Sequence, residues 1–401
     1  MTILGDILGS DCCSGCGACA YLAPDHVHME YSAAGFLRPV ETMPLTPEED
    51  QRISVACPGI SLDLESEALV DDRLWGPIVA ARTGHAAVAD LRHQASSGGV
   101  ISAVLIHLLE SKQVDCVIQT SASLESPARN QIVLSRTAAD VRAAAGSRYA
   151  PSAPLESLKY YLAQPGRFAF VGKPCDVAAL RALTKDDAAL AARIPYMISF
   201  FCAGVPSTRG ADNILRELGV EPGALRSFRY RGDGWPGFAT AETADGQKRA
   251  MSYEASWGNI LSKHVQFRCK ICPDGSGGFA DIVCGDAWES DARGYPKFAE
   301  SEGRSLILTR TAAGEKLCND ARRAGGIFTE DLGIDRIETM QPSQARRKRL
   351  VLSRLWAMRL ANRKVPRFRG LQLATAARSA GPLANIKSFL GLCRRLAMGR
   401  A

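Results

Sequence analysis

Apolar positions along the chain follow two rhythms. In "SSGGVISAVLIHLLES" (96–111), Val100, Ile101, Val104, Leu105, Leu108 and Leu109 recur at the spacing of a helical face. "VDCVIQT" (114–120), "RFAFVG" (167–172) and "YMISFF" (196–201) are short apolar runs of buried-strand type, and "HAAVA" (85–89) reads as another. "CDVAALRAL" (175–183) returns to helical spacing. This alternation predicts an α/β domain with a largely parallel sheet. Residues 222–290, richer in Gly, Pro and aromatics, predict loops and short strands, and acidic "SLDLESEALVDDRLW" (61–75) reads as a surface helix or linker. Helix-prone stretches follow at 345–364 and 386–398, the latter amphipathic. The expected organisation is a cysteine-bearing segment 1–60, a linker 61–83, a domain 84–338 and a helical tail 339–401, without internal repeats.

Composition keeps the chain among soluble globular proteins, with 46% hydrophobic and 23% charged residues. No run approaches the length of a transmembrane helix. The start, "MTILGDILGSDCC", lacks the basic and apolar regions of a signal peptide, so a cytoplasmic location is expected. Charge sharpens the tail. No Asp or Glu follows Glu338, and residues 339–401 carry 15 Lys and Arg. With +7 overall and +15 there, residues 1–338 carry −8. Such a tail suits an acidic ferredoxin, an anionic membrane surface, or simply solvent as a charged helix pair. Nothing points to nucleic acid.

Thirteen cysteines in a reducing compartment read as metal or redox sites where they cluster. Cys13, Cys16 and Cys19 run as Cys-x2-Cys-x2-Cys, a loop that carries three thiolates to one iron–sulfur cubane. Structural zinc more often uses separated Cys-x2-Cys pairs. A ferredoxin would place its next cysteine where Ala23 precedes Pro24. In two-cluster ferredoxins that cysteine serves the other cluster, so its absence fits a single cluster here. Cys57, in "ACPG", has the Cys-Pro context and is the expected fourth ligand, with Cys12 a competing neighbour.

A second group is dispersed. Cys269 and Cys272 form a Cys-x2-Cys, while Cys175 and Cys202 each follow a predicted strand. Carboxyl ends of parallel strands share one edge, so the four could hold a second 4Fe-4S cluster. The competing reading leaves Cys175 and Cys202 as core cysteines. Cys116, Cys284, Cys318 and Cys393 read as structural, and the six histidines form no ligand pattern.

"GDGWPG" (232–237) matches G-x-G-x-x-G, but Trp235 and Pro236 occupy the place of a helix start, so it reads as a tight loop. "ASSGGV" (95–100) opens a helix, with Ser97 as cap and Gly98 and Gly99 open to a phosphate; an ordinary capped helix is the alternative. "AGSRYAPS" (145–152) offers Ser147, Arg148 and Tyr149, and "GKPCD" (172–176) sets Lys173 beside Cys175.

Taken in order, "CSGCGAC", "CPGI", "SSGGVISAVL", "GSRYAPS", "GKPCDVAAL", "FFCAGVPS", "CKICPD" and "ADIVCGDAW" resemble the coenzyme F420 hydrogenase/dehydrogenase beta-subunit family across roughly residues 10–290. The resemblance implies an FAD-dependent iron–sulfur oxidoreductase. That family includes subunits that reduce the deazaflavin coenzyme, and 7-hydroxymethyl chlorophyll a reductase and divinyl chlorophyllide reductase, which draw electrons from ferredoxin. Compact members found with bacterial polysaccharide-synthesis genes are the most similar in form. By this resemblance Ser96, Ser97, Gly98, Gly99, Ser147, Arg148, Tyr149 and Lys173 would sit at FAD. Cys175, Cys202, Cys269 and Cys272 would ligate the flavin-proximal cluster, and Cys13, Cys16, Cys19 and Cys57 the outer one. Asp281 and Asp286 would order a loop; no proton donor is implied. The expected architecture is a ferredoxin-like 4Fe-4S segment on a largely parallel α/β flavin domain with a basic helical tail. The expected activity relays electrons between a one-electron donor such as ferredoxin and a two-electron substrate. An electron-transfer or F420-reducing subunit docking to a catalytic partner is the alternative, and a protein whose metal merely holds loops together is a third.

Overall fold

The computed structural model describes residues 2–65, 70–291 and 296–399. Its centre is an eight-stranded sheet. In chain order the strands are β1 (Ala80–Ala86), β2 (Cys116–Ala122), β3 (Asn130–Ser135), β4 (Phe168–Val171), β5 (Tyr196–Phe200), β6 (Ile282–Asp286), β7 (Ser305–Thr309) and β8 (Ile327–Asp331). Their spatial order is β8-β1-β7-β6-β5-β4-β2-β3. The run β6-β5-β4-β2 is parallel, and β3, β7 and β8 run the other way, so five of eight strands share a direction.

Side chains alternate across this sheet with the period of two that pleating imposes. Val117, Ala169, Val171, Ile198 and Ile282 face a layer with Val100, Val104, Leu105 and Leu108 of the helix Val100–Glu110. Ile118, Phe168, Phe170, Met197 and Val283 face the opposite layer, with Val177 and Leu180 of the helix Pro174–Lys185. Both faces are covered, which explains why the central strands read as unbroken apolar runs. Between β5 and β6 the chain inserts the helix Thr208–Glu217 and a three-stranded antiparallel sheet, Leu225–Arg229, Phe238–Thr243 and Lys248–Ser252. "GDGWPG" is the loop between the first two of these strands, with Gly232, Gly234 and Gly237 at positive φ.

Three local readings shift. The strand expected at 85–89 lies earlier, at Ala80–Ala86, and Ala89 already starts a helix. Arg82 hid that strand; its guanidinium is accommodated by Glu315 and Asp331. In the acidic segment the described residues are extended, not helical. Ser61–Asp63 pairs in parallel with Arg367–Arg369, and Val70–Asp72 pairs with Gly76–Ile78; residues 66–69 lie outside the described residues. Asp72 turns the chain by accepting the Leu74 and Trp75 N–H groups. Ser97 does not cap the helix Val100–Glu110. Gly99, at φ 75°, holds the N-cap, and the Ser97 hydroxyl donates to the Arg304 carbonyl instead.

The tail is helical, with Pro342–Arg349, Val351–Leu360, Leu373–Arg378 and Pro382–Ala397. It is not simply a solvated appendage. Val351, Leu355, Met358 and Leu392 share one core with Leu4, Ile7, Leu22 and Ile53 of the N-terminal segment. Among the described residues no helix is long and apolar enough to cross a membrane.

Candidate redox site

Cys13, Cys16, Cys19 and Cys57 line one cavity, otherwise walled mainly by apolar side chains such as Leu4, Ile7, Leu22, Met29 and Ile53. Gly17 makes the tight loop possible. Its φ is 84°, and a Cβ there would stand 2.6 Å from the Glu156 nitrogen. The Leu155 N–H donates to the Cys16 carbonyl, and the Met29 N–H donates to the Glu156 carboxylate, which docks the loop on residues 153–156. Cys57 arrives from the C-cap of the helix Pro47–Ala56. Cys12 faces elsewhere: its thiol donates to the Ser10 carbonyl, and it does not line the cavity. Burial pushes the Cys16 thiol up to about 11, helped by the nearby Asp176 charge. Burial also raises Cys13, Cys19 and Cys57, the last two further through their cysteine neighbours.

The second set also converges. Cys175 is the second residue of the helix after β4, and Cys202 follows β5, so both sit at the carboxyl edge of the parallel strands. Cys269 and Cys272 come from the β5–β6 insertion. Cys202 N–H donates to the Gly275 carbonyl, and Val205 N–H donates to the Cys269 sulfur at 3.4 Å. Cys175 feels the charges of Cys202 and Cys269, and Cys202 those of Cys269 and Cys272. Burial raises the thiols of Cys175, Cys202 and Cys272.

Two sets of four enclosed thiols suit clusters whose irons replace the protons. Among the described residues no three His, Cys, Asp or Glu side chains gather around a point as a single metal ion requires. In a cubane each thiolate binds a different iron, so ligands surround the cluster rather than meet at one centre. A buried cation supports the fit. Arg268 is 2% exposed, makes no ion pair among the described residues, and leaves its Nε without a hydrogen-bond partner. Its charge neighbours are Cys272, Cys12, Cys175 and Cys269. An unpaired buried guanidinium is costly, and an anionic thiolate-bound cluster would offset it.

One side chain spans the two sets. Gln266 Nε2 donates to the Ser14 carbonyl, inside the Cys13–Cys16 loop, at 3.3 Å and to the Cys269 sulfur at 3.4 Å. Arg38 holds the other end of that amide through Gln266 Oε1, at 3.1 Å. From the tail, Gln344 and Arg347 both donate to the Cys202 carbonyl. Sequence reasoning missed these four residues. The only signal was Gln266 standing three positions before Cys269.

The stretches expected at the flavin meet at the same sheet edge. Ser147 N–H donates to the Ser96 hydroxyl, and Gly98 N–H donates to the Ser305 hydroxyl at the start of β7. Ser96, Ser97, Ser147 and Tyr149 are half-buried. The two cations are engaged. Arg148 donates to Asn130 and to the carbonyls of Pro127, Arg129 and Phe228. Lys173 Nζ is 2.6 Å from Asp176 Oδ1 and 2.9 Å from the Ser152 carbonyl. Both therefore position loops rather than present free donors. Asp286 takes a bidentate Arg231 and the Trp235 indole N–H, while Asp281 accepts from Arg181, Thr311 and the Met197 N–H.

A mixed α/β sheet with cysteine sets beside its carboxyl edge is the architecture of an iron–sulfur oxidoreductase. Two family descriptions, both of the coenzyme F420 hydrogenase/dehydrogenase beta subunit, match the chain: that of its N-terminal part over residues 81–159, and that of its C-terminal part over residues 166–334. The chain belongs to this family. It is 26% identical over 297 residues to coenzyme F420 hydrogenase subunit beta of Methanococcus voltae, covering 70% of this chain and 96% of that protein. It is 25% identical over 220 residues to 7-hydroxymethyl chlorophyll a reductase of Oryza sativa, covering 55% of this chain and 45% of that protein. Its fold matches a chain of the F420-reducing [NiFe] hydrogenase complex of Methanosarcina barkeri with a TM-score of 0.58 and 18% identity, over 75% of this chain and 99% of that one.

Proposed function

We propose that the protein is an FAD-dependent iron–sulfur oxidoreductase that passes electrons between a one-electron donor such as ferredoxin and a two-electron substrate. The observation that carries this reading is the placement of two four-cysteine sets, joined by Gln266, beside the edge that gathers Ser96 and Ser147. When bound, two 4Fe-4S clusters would carry single electrons and the flavin would exchange them for hydride equivalents. The protein's own part is positional. Cys13, Cys16, Cys19 and Cys57 would hold the outer cluster in an apolar cavity that excludes water. Cys175, Cys202, Cys269 and Cys272 would hold the inner one at the sheet edge, with Arg268 offsetting its charge. Ser96, Ser97, Ser147 and Tyr149, with the backbone at Gly98 and Gly99, would contact FAD, while Arg148 and Lys173 fix the loops.

Anaerobic purification with iron, sulfide and flavin counts tests this directly. About eight irons per chain and absorbance near ~450 nm are expected. About four irons would remove one cluster, and a flavin-free protein would remove FAD. The relatives named as hydrogenase and dehydrogenase subunits favour a second reading, an electron-transfer subunit that docks to a catalytic partner. Turnover of a small substrate by the isolated protein with reduced ferredoxin separates the two.

A further inference from the structure

The tail folds around a groove of about 420 Å³ lined by Arg346, Arg349, Arg354, Lys387 and Arg395, with two serines and no carboxylate. Arg349 is paired with Glu338. Arg354 donates to the Lys270 carbonyl and the Ser388 hydroxyl. Arg346, Lys387 and Arg395 make no ion pair or side-chain hydrogen bond among the described residues. Converging cations without counter-ions call for an anion. Burial and the charges of Arg395, Arg347 and Arg346 push Arg354 down to about 10, so the mutual repulsion is uncompensated within the chain.

The helix that supplies Lys387 and Arg395 carries a second feature. Its inner face packs Phe389, Leu392 and Leu396 into the core shared with the N-terminal segment. On its outer face Leu383, Ile386 and Leu390 stand 82%, 55% and 58% exposed, at i, i+3 and i+7. A free phosphate needs no aliphatic neighbours. An acidic protein would meet the cations but leave these three side chains against a polar surface. A lipid surface satisfies both. The family match ends at residue 334, so the tail is an addition to what defines the family.

We infer that the tail docks on an anionic membrane surface, seating lipid phosphates in this groove with Leu383, Ile386 and Leu390 among the acyl chains. This inference does not depend on the redox reading. Flotation of the holoprotein with phosphatidylcholine vesicles, with and without phosphatidylglycerol, tests it. Binding is expected only to the mixed vesicles and should weaken with salt. The double variant Lys387→Gln, Arg395→Gln should lower the partition roughly 25-fold, at about fivefold per cation near the surface. The triple variant Leu383→Ser, Ile386→Ser, Leu390→Ser should lower it by at least about tenfold through lost apolar burial. Leu383, Ile386 and Leu390 are exposed, and among the described residues Lys387 and Arg395 make no hydrogen bond to the cysteine sets, so retained cofactor absorbance reports folding. Absence of vesicle binding, equal binding to both vesicle types, or binding indifferent to both variants overturns the inference. So does calorimetric binding of inorganic phosphate, or retention on an immobilised acidic ferredoxin, when the vesicles capture nothing.

Discussion

Lys173 and Asp176 offer a direct test of whether the cation in "GKPCD" serves the protein or a ligand. The two residues are 6% and 1% exposed, with Nζ 2.6 Å from Oδ1 and 2.8 Å from Oδ2. Burial disfavours the ammonium, but the Asp176 carboxylate outweighs it and raises the Lys173 pKa. Lys173→Met would strand a buried carboxylate, at a cost of about 3–5 kcal/mol. Asp176 would keep the Lys173 N–H at 3.1 Å and its place in the first helical turn, which offsets part of that cost. The lower end, ~3 kcal/mol, is therefore expected, or about 6–12 °C in thermal midpoint for a domain of this size.

The double variant Lys173→Met, Asp176→Leu removes both charges and should recover most of the loss, because apolar replacement of a buried pair is often neutral. Circular dichroism melts of the wild type, Lys173→Met, Asp176→Leu and the double variant, matched for iron content, give the coupling between the two sites, expected to be at least ~3 kcal/mol. One result refutes the reasoning: Lys173→Met with an unchanged melt but no bound flavin. That outcome would make Lys173 a ligand contact, with Asp176 merely its neighbour.

Cys57→Ser should reduce iron from about eight toward about four per chain and remove one EPR signal; unchanged iron would strike Cys57 from the ligand set. Gln266→Leu keeps the volume but removes an N–H donor from the Cys269 sulfur. Because that bond favours the more negative, reduced cluster, the inner potential should fall by roughly 20–60 mV in an EPR-monitored redox titration; no change, or a rise, contradicts the bridge. Acid stability should depend on Glu315, whose carboxyl is held down to about 2 by the bidentate Arg82 guanidinium, against burial. A lowered carboxyl pKa adds stability that is present above the ordinary 4.5 and lost as pH falls toward 2. After discounting for its partial exposure this is about 1 kcal/mol, so Glu315→Gln should flatten the acid limb of a pH–stability curve between those values. A variant curve parallel to the wild type would show that the ion pair contributes nothing.

What is repeated or doubly buried was legible in the sequence. Phe168 to Val171 and Tyr196 to Phe200 could be found because both sheet faces are covered and their apolar runs are unbroken. The strand at Ala80–Ala86 escapes a local reading because its polar residues are satisfied by partners more than 200 positions away, which no local window contains. Clustered cysteines announce themselves by spacing. The convergence of Cys175 with Cys202 follows only from the rule that parallel strands share a carboxyl edge. Charge was legible but its use was not. Arg148 and Lys173 read as flavin contacts from the sequence, and the structure shows their donors meeting Asn130, backbone carbonyls and Asp176.

The tail shows most clearly why composition misleads about role. Its basicity points outward, to partners, and its outer groove still does. Its apolar positions point the other way. Val351, Leu355 and Met358 complete the core on which the Cys13 loop rests, and Arg347 and Gln344 hold the Cys202 carbonyl. Arg363 pairs with Asp11, one residue before the cysteine pair begins. The end of the chain thus braces both cysteine sets at once, while the family match stops before it at residue 334. A segment outside the family's defining region can still be part of the scaffold that fixes where two clusters would stand relative to each other.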